Sequence, residues 1–254
     1  IILIAAELLT VFILYVVYKA KKFIFSFHLS ILLASVASYI SYYSYVTVVK
    51  HNNFYTGRFD LGNMDQTVWN TFHGRLFTLT NPDGINTMSR LGIHADFLLV
   101  LLAPFYAIWE DPRMLLLIQS VVLGLGAAFV YFLSNKIIAN KNISLALSAS
   151  YLLNPFVAKQ NLYDFHAITF STTFLLGTFF FLYLKKYRFF ILFLVLSLLT
   201  KENIFLVSAM FGFYLYIKNK KLFGIALFGI SIISFYLLIS QIIPSFRGEN
   251  HFAI

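Results

Sequence analysis

Four short stretches of this sequence place titratable side chains close together in an otherwise apolar chain. The longest, residues 59–75, reads FDLGNMDQTVWNTFHGR and carries two carboxylates and a histidine. The others are HAD at 94–96, DFH at 164–166 and TKEN at 200–203. Carboxylates and imidazoles move protons in catalysis and ligate metal ions. Because such groups are costly at membrane depth, their presence beside long apolar runs indicates a polar cavity.

The first stretch offers several roles. Asp60 precedes a helical pattern of apolar residues, so it can cap that helix or serve as a general base. Asp65 lies five residues further on, about 140° around a helix, so the two carboxylates should not converge. Gln66 lies on a face that is either solvated or turned to a substrate. Arg58 suits a phosphate group or a lipid headgroup.

The remaining stretches add possible metal and substrate ligands. Asp164 and His166 are two residues apart and could hold a divalent cation, Mg²⁺ or Mn²⁺, although surface Asp-x-His pairs are common. Lys201 and Glu202 are compatible with an interfacial ion pair or with substrate binding. We therefore take as candidates a base, Asp60; two metal ligands, Asp164 and His166; and the substrate-binding residues Arg58, Asp65, Gln66, His94, Asp96, Lys201 and Glu202.

Composition predicts that the elements positioning these residues are membrane helices. The 254 residues are 60% hydrophobic and 11% charged, with a mean hydropathy of +0.81. The net charge of +9 would suit nucleic acid in a soluble protein. Here the basic residues form short clusters between apolar runs, which favours a cytoplasmic membrane face and no nucleic-acid partner. Because the chain has no cysteine, disulfides and thiol chemistry are excluded.

The apolar runs predict an all-α, polytopic membrane protein with about eight transmembrane helices. A ninth run, 97–109, has only thirteen residues and includes Pro104, so we expect an interfacial or re-entrant helix. The first run begins at Ile1 without a charged leader and indicates a span, not a signal peptide. The eight spanning runs are 1–18, 23–47, 114–135, 142–158, 167–184, 189–200, 204–217 and 222–243.

Charge distribution predicts how these spans are oriented. The connectors 19–22, 136–141, 185–188 and 218–221 carry eleven Lys and Arg residues and no acid. The positive-inside rule places them in the cytoplasm. The other connectors then lie outside and hold nine of the ten acidic residues. A single continuous helix through TKEN is the alternative, and it would put two basic connectors on opposite sides.

This alternation makes residues 48–113 one large external loop of a single transmembrane domain spanning 1–254. Apolar spacing predicts an amphipathic helix over 61–73, capped by Asp60 and closed by Gly74. The motif NPDG at 81–84 predicts a turn. We expect the chain to be incomplete at its C-terminal end, because it stops just after an apolar run.

The motif FDLGNMDQTVWNTFHGR, followed in order by HADFLLVLLAPFYAIW, YDFHAIT and LTKEN, resembles a family of prokaryotic polytopic membrane proteins, a domain of unknown function grouped with the GT-C glycosyltransferases. The resemblance covers about residues 40 to 243. It implies a large first external loop with interfacial helices and sugar transfer from a polyprenyl-phosphate donor. It also implies that Asp60 and Asp164 match the two acidic positions of the superfamily. Relatives that depend on metal often carry two acids where this chain has Asp164 and His166.

The function expected from these observations is therefore a glycosyltransferase in the plasma membrane that acts at the external face. Its partners would be membrane lipid and the polyprenyl-phosphate sugar donor. A transporter is the main alternative, although polar or broken segments near the bilayer midplane and internal repeats would be expected for it. A non-catalytic membrane assembly subunit is a further possibility. The sugar, the acceptor and the oligomeric state are not specified by the sequence.

Overall fold

The computed structural model describes residues 27–81 and 84–247, and it is 77% helical. The run 1–18 and the two central residues of the NPDG motif lie outside the described residues. Ten helices are labelled here within these ranges: α1 Phe27–Asn52, α2 Asn63–Phe72, α3 Leu98–Leu102, α4 Arg113–Ile138, α5 Lys141–Leu152, α6 Pro155–Tyr163, α7 Phe170–Tyr183, α8 Tyr187–Leu198, α9 Ile204–Ile217 and α10 Lys221–Leu237.

Short irregular helices extend these elements. A π-helical turn, Arg58–Gly62, leads into α2, and a 3₁₀ segment, Ala103–Ala107, continues α3. A second π-helical turn, Leu238–Ile242, and a final short helix, Ile243–Ser245, continue α10.

Three described helices are long and apolar enough to cross a membrane: α1, α4 and the continuous segment Lys221–Ser245. α7, α8 and α9 are apolar but have only 12 to 14 residues each. The run 142–158 does not form one helix, because Asn154 starts a new one: its side chain accepts a hydrogen bond from the Phe156 N–H, and Pro155 follows it. The helical fold class is therefore confirmed, while the predicted count of eight spans is not.

α4 is the centre of the helical bundle. It packs against α1, α5 and α7, while α7 pairs with α8 and α9 pairs with α10. Large apolar side chains remain exposed along the outer faces of these helices, for example Ile191 on α8, Phe213 on α9 and Ile233 on α10. Outward-facing apolar residues suit contact with lipid acyl chains.

The basic connectors and the connectors that carry the acidic residues lie at opposite ends of the bundle. Leu98 N–H donates to the Leu199 carbonyl, and Arg247 Nε donates to the Gly92 carbonyl. The loop after α8 and the end of the α10 segment thus both meet the 48–113 loop. The basic connectors after α4, α7 and α9 lie at the other end. This excludes a continuous helix through TKEN.

The apolar residues of the 48–113 loop pack in one core with residues of the helical bundle. Leu61, Met64 and Val68 of the predicted amphipathic helix are buried, whereas Trp69 and Phe72 are more than a third exposed. Gly74 ends the pattern at a positive φ of 81°, as expected of a helix C-cap. The ten residues of α3 and its 3₁₀ extension are about 15 Å long, half the hydrocarbon thickness, which agrees with a helix that does not cross.

A small β-hairpin was not predicted. Strands β1 (Thr78–Thr80) and β2 (Thr87–Ser89) pair antiparallel, with Leu79 opposite Met88. The Gln66 side chain ties α2 to β1, because its Oε1 accepts from the Thr80 N–H at 2.9 Å. The face of α2 that carries Gln66 and Asn70 is therefore packed against the hairpin and is not a solvated face.

Candidate functional site

Two segments that are far apart in the chain bring Asp60, Asp164 and His166 together at the loop end of the bundle. His166 Nε2 lies 3.1 Å from Asp60 Oδ1. The Gly57 N–H donates to Asp164 Oδ2 at 2.7 Å. A Cβ atom placed on Gly57 would lie 3.3 Å from Asp164 Oδ2 and 3.4 Å from Asp60 Oδ2. Both carboxylates thus lie against the same glycine.

The backbone explains why Asp164 and His166 point the same way. Both residues are extended, Asp164 at φ −177° and His166 at φ −140°. Side chains alternate along an extended segment, so the residue between them points away. That residue, Phe165, is fully buried in the apolar core with Leu61 and Phe170. The Asp-x-His spacing therefore anchors the loop through Phe165 and turns two polar side chains to its other side, where Asp164 is buried and His166 is partly exposed.

Asp60 does not cap α2, contrary to the prediction. It lies inside the π-helical turn Arg58–Gly62, where the carboxylate turns away from the helix backbone and towards His166. π-helical turns recur at functional sites because the extra residue reorients a side chain. The Asp60 side chain is 34% exposed and that of His166 is 23% exposed, so both remain accessible to a ligand.

Lys50 and Gln119 complete this site, and the sequence did not identify either residue. Lys50 Nζ, at the end of α1, lies 3.1 Å from Asp164 Oδ1 and 2.9 Å from the Leu162 carbonyl. Gln119 of α4 is fully buried; its Nε2 donates to the Asp164 carbonyl, and its Oε1 accepts from the His166 N–H. Two features of the sequence could have identified them. Lys50 is a single lysine just after the apolar run 23–47, and Gln119 is a single amide inside the apolar run 114–135.

This donor set does not fit a divalent cation held by Asp164 and His166. The Asp164 carboxylate is already bonded to an ammonium and to a backbone N–H, and the His166 Nε2 faces Asp60. Over 27–81 and 84–247, no group of three His, Cys, Asp or Glu side chains could hold a metal ion. The positive charge beside Asp164 comes from Lys50.

His94 and Glu202 form a second contact, which joins the 48–113 loop to the α8–α9 loop. His94 Nδ1 lies 2.9 Å from Glu202 Oε1, and the Ala95 N–H donates to Glu202 Oε2 at 3.0 Å. Burial alone would raise the pKa of the Glu202 carboxyl, but these two hydrogen bonds outweigh it and lower the pKa to about 2. The neighbouring Lys201 is half-buried and makes no ion pair or hydrogen bond through its ammonium within the described part of the chain.

Asp96 and Asp65 are held by other partners, away from Asp60. Asp96 is buried in an ion pair with the equally buried Arg90, at 2.5 Å between Nη2 and Oδ2. Asp65 accepts a hydrogen bond from the Tyr106 hydroxyl, and burial raises the pKa of the Asp65 carboxyl above its usual range. Asp60 and Asp65 do not converge, as the helical spacing predicted. The Tyr106–Asp65 contact fixes α2, and the Arg90–Asp96 pair fixes the 90–96 segment.

A helical bundle with lipid-facing outer surfaces and a polar cluster at one end defines an integral membrane protein. The chain belongs to the family described as Predicted membrane protein (DUF2079), which matches residues 50–253. The family is one of unknown function. No curated protein matches the chain. No solved structure matches it either.

Proposed function

We propose that this protein is a membrane glycosyltransferase that moves a sugar from a polyprenyl-phosphate carrier to an acceptor hydroxyl. The observation that carries the proposal is the contact between Asp60 and His166 beside Asp164, at the loop end of the bundle. A donor with a lipid tail must present its sugar at this level, where the polar groups gather. The resemblance to the GT-C superfamily implies that Asp60 and Asp164 match its two acidic positions, which supports the proposal.

Asp60 would act as the general base. Its Oδ1 faces His166, while its Oδ2 makes no hydrogen bond to any described residue and is open to an acceptor hydroxyl. As the acceptor oxygen forms its bond to the anomeric carbon, the bond from that carbon to the carrier phosphate breaks. The acceptor proton moves to Asp60, and the electron pair of the broken bond leaves on the phosphate.

Lys201 is the cation we assign to the departing phosphate. Its loop packs through Leu199 on the apolar cluster that includes Leu61 and Phe165, which places it at the same end as Asp60. Lys50 serves a different purpose, because its ammonium is bonded to Asp164 and to the carbonyls that end α6. We assign the 48–113 loop to the external face of the plasma membrane and the basic connectors to the cytoplasm.

The test is transfer of labelled sugar from a panel of polyprenyl-phosphate donors by the purified protein in nanodiscs. Asp60→Asn should reduce transfer by a factor on the order of 100 or more, the usual scale for losing a general base. Its thermal stability should stay near that of the wild type, because the Asp60 side chain caps no helix. Glu110→Gln is the control, since Glu110 is exposed and contacts Trp69 and His73 instead. Full transfer by Asp60→Asn would refute the assignment.

A transporter remains the second candidate because of the break between α5 and α6. Buried polar groups also lie between α4, α6 and α1: Ser120 Oγ donates to Asn161 Oδ1, and Asn161 Nδ2 donates to the Tyr39 hydroxyl. These groups satisfy one another, which suits structural support for the DFH loop better than a pathway for a substrate. Uptake of labelled sugar into proteoliposomes without transfer would favour the transporter.

A further inference from the structure

A cavity of about 500 Å³ opens beside the turn that carries Asp60. One wall is the π-helical turn with the start of α2, and the other is the β-hairpin. The volume is within the usual range for small-molecule sites. Its lining residues are Arg58, Phe59, Gly62, Asn63, Gln66, Thr80, Gly84 and Ile93.

The walls of this cavity are fixed by hydrogen bonds between them. Gln66 Nε2 donates to Thr80 Oγ1 at 2.6 Å, and Gln66 Oε1 accepts from the Thr80 N–H. Asn63 Nδ2 donates to the Phe59 carbonyl, which leaves its Oδ1 without a bond to any described residue. Side chains held in this way present polar groups at fixed positions and lose little freedom when a ligand binds.

The charge in the lining comes from Arg58. Its guanidinium lies 5.2 Å from the centre of the exposed Phe59 ring and pairs with no carboxylate among the residues the structure describes. An arginine without a partner in a pocket favours a carboxylate or a phosphate. Only Phe59 and Ile93 supply large apolar surface, which is too little for a lipid chain.

We propose that this cavity binds the acceptor of the transfer reaction, and that the acceptor is a hydroxyl-rich saccharide carrying a negative charge. This inference rests on the proposed function. Arg58 would hold the anion, while the Asn63 amide and the Thr80 hydroxyl would face sugar hydroxyls. Because Asp60 directly follows Phe59 in the same turn, a saccharide in the cavity lies next to the base.

The experiment compares two probes that differ mainly in one carboxylate, glucuronate and glucose, by titration calorimetry on the intact chain in zwitterionic nanodiscs. Glucuronate should bind at least about tenfold more tightly, the scale of a charge-assisted hydrogen bond. Arg58→Gln should remove this preference. Arg75→Gln should keep it, since Arg75 is bonded to Asn70 and lies over Trp69.

A second variant fills the cavity without straining the backbone. Gly62 has helical angles, φ −62° and ψ −42°, and a Cβ there would meet only the Gly57 carbonyl, at 3.9 Å. Gly62→Leu should therefore fold normally and lose binding of both probes. Equal binding of the two probes, no binding of either, or normal binding by Gly62→Leu would overturn the proposal.

Two further comparisons distinguish saccharide binding from lipid-headgroup binding and from the transfer reaction. If nanodiscs of anionic lipid abolish glucuronate binding, lipid headgroups occupy Arg58 and the saccharide assignment is wrong. Glu110→Gln should bind glucuronate like the wild type, because Glu110 does not line the cavity. Binding is measured without donor, so a protein that binds the saccharide but transfers no sugar would refute the transferase and leave the saccharide site standing.

Discussion

His166 Nε2 lies 3.1 Å from Asp60 Oδ1, although 106 residues separate them in the chain. Asp60 is carried by a π-helical turn in the 48–113 loop, and His166 by the extended segment between α6 and α7. Gln119 of the central helix α4 fixes that segment from below. The site therefore depends on the packing of the bundle as well as on the loop.

Gly57 should be required for the shape of the site. Gly57→Ala would place a methyl group 3.3 Å from Asp164 Oδ2 and 3.4 Å from Asp60 Oδ2. The backbone at φ −85° accepts alanine, so we expect little change in melting temperature but roughly a tenfold loss of transfer, because small displacements of reacting groups are costly. Gly229→Ala, with nothing within 4 Å, is the control. Unchanged transfer would show that the close approach is not needed.

Glu202 should contribute a stabilisation of the fold that is lost at low pH. Its folded pKa of about 2 lies below the ordinary value of 4.5, so its contribution is present above pH 4.5 and is lost as the pH falls towards 2. The difference in melting temperature between wild type and Glu202→Gln should therefore shrink over that interval. Thermal unfolding in nanodiscs across this range measures it, with Glu110→Gln as the exposed control. A difference independent of pH would contradict the His94 contact.

Asp65 should show the opposite dependence. Burial raises its folded pKa above the ordinary 3.8, so its contribution to stability is present below that pH and is lost as the pH rises. Asp65→Asn keeps an acceptor for the Tyr106 hydroxyl and carries no charge. It should be at least as stable as the wild type at neutral pH, with the advantage disappearing in acid. Chemical unfolding at several pH values tests this, and a destabilised Asp65→Asn at neutral pH would mean that the charge is needed.

Removing only one partner of the buried Arg90–Asp96 pair should lower the free energy of unfolding. Arg90→Met leaves a buried carboxylate without a partner and should lower the free energy of unfolding by about 3–5 kcal/mol. Adding Asp96→Leu should restore most of that loss. Arg113→Met, at the more exposed pair with Asp111, should cost less than about 1 kcal/mol. If the double variant is no more stable than Arg90→Met, the pair has a role beyond mutual neutralisation.

Sidedness can be measured directly because the chain contains no cysteine. Thr87→Cys, exposed in the hairpin, should react with an impermeant thiol reagent added to intact cells. Lys186→Cys, exposed in the basic α7–α8 connector, should react only after the membrane is opened. The reverse pattern would invert the topology.

The sequence alone determined the class of protein and the end of the bundle where the polar residues gather. Apolar run length and the clustering of Lys and Arg are local signals, and both follow from the cost of placing charge in lipid. Helical spacing also predicted correctly that Asp60 and Asp65 would diverge and that Gly74 would end α2. Each of these inferences uses residues close together in the chain.

The partners of the polar residues were decided by tertiary structure. Nothing local pairs Lys50 with Asp164 or Arg90 with Asp96, and nothing local predicts that Gln119 would hold the DFH loop. Asp60 was expected to cap α2, but it lies in a π-helical turn and its carboxylate faces His166. Gln66 is hydrogen-bonded to Thr80 on a strand of the hairpin. A periodic pattern fixes which face of a helix a side chain occupies, but only packing fixes what that face meets.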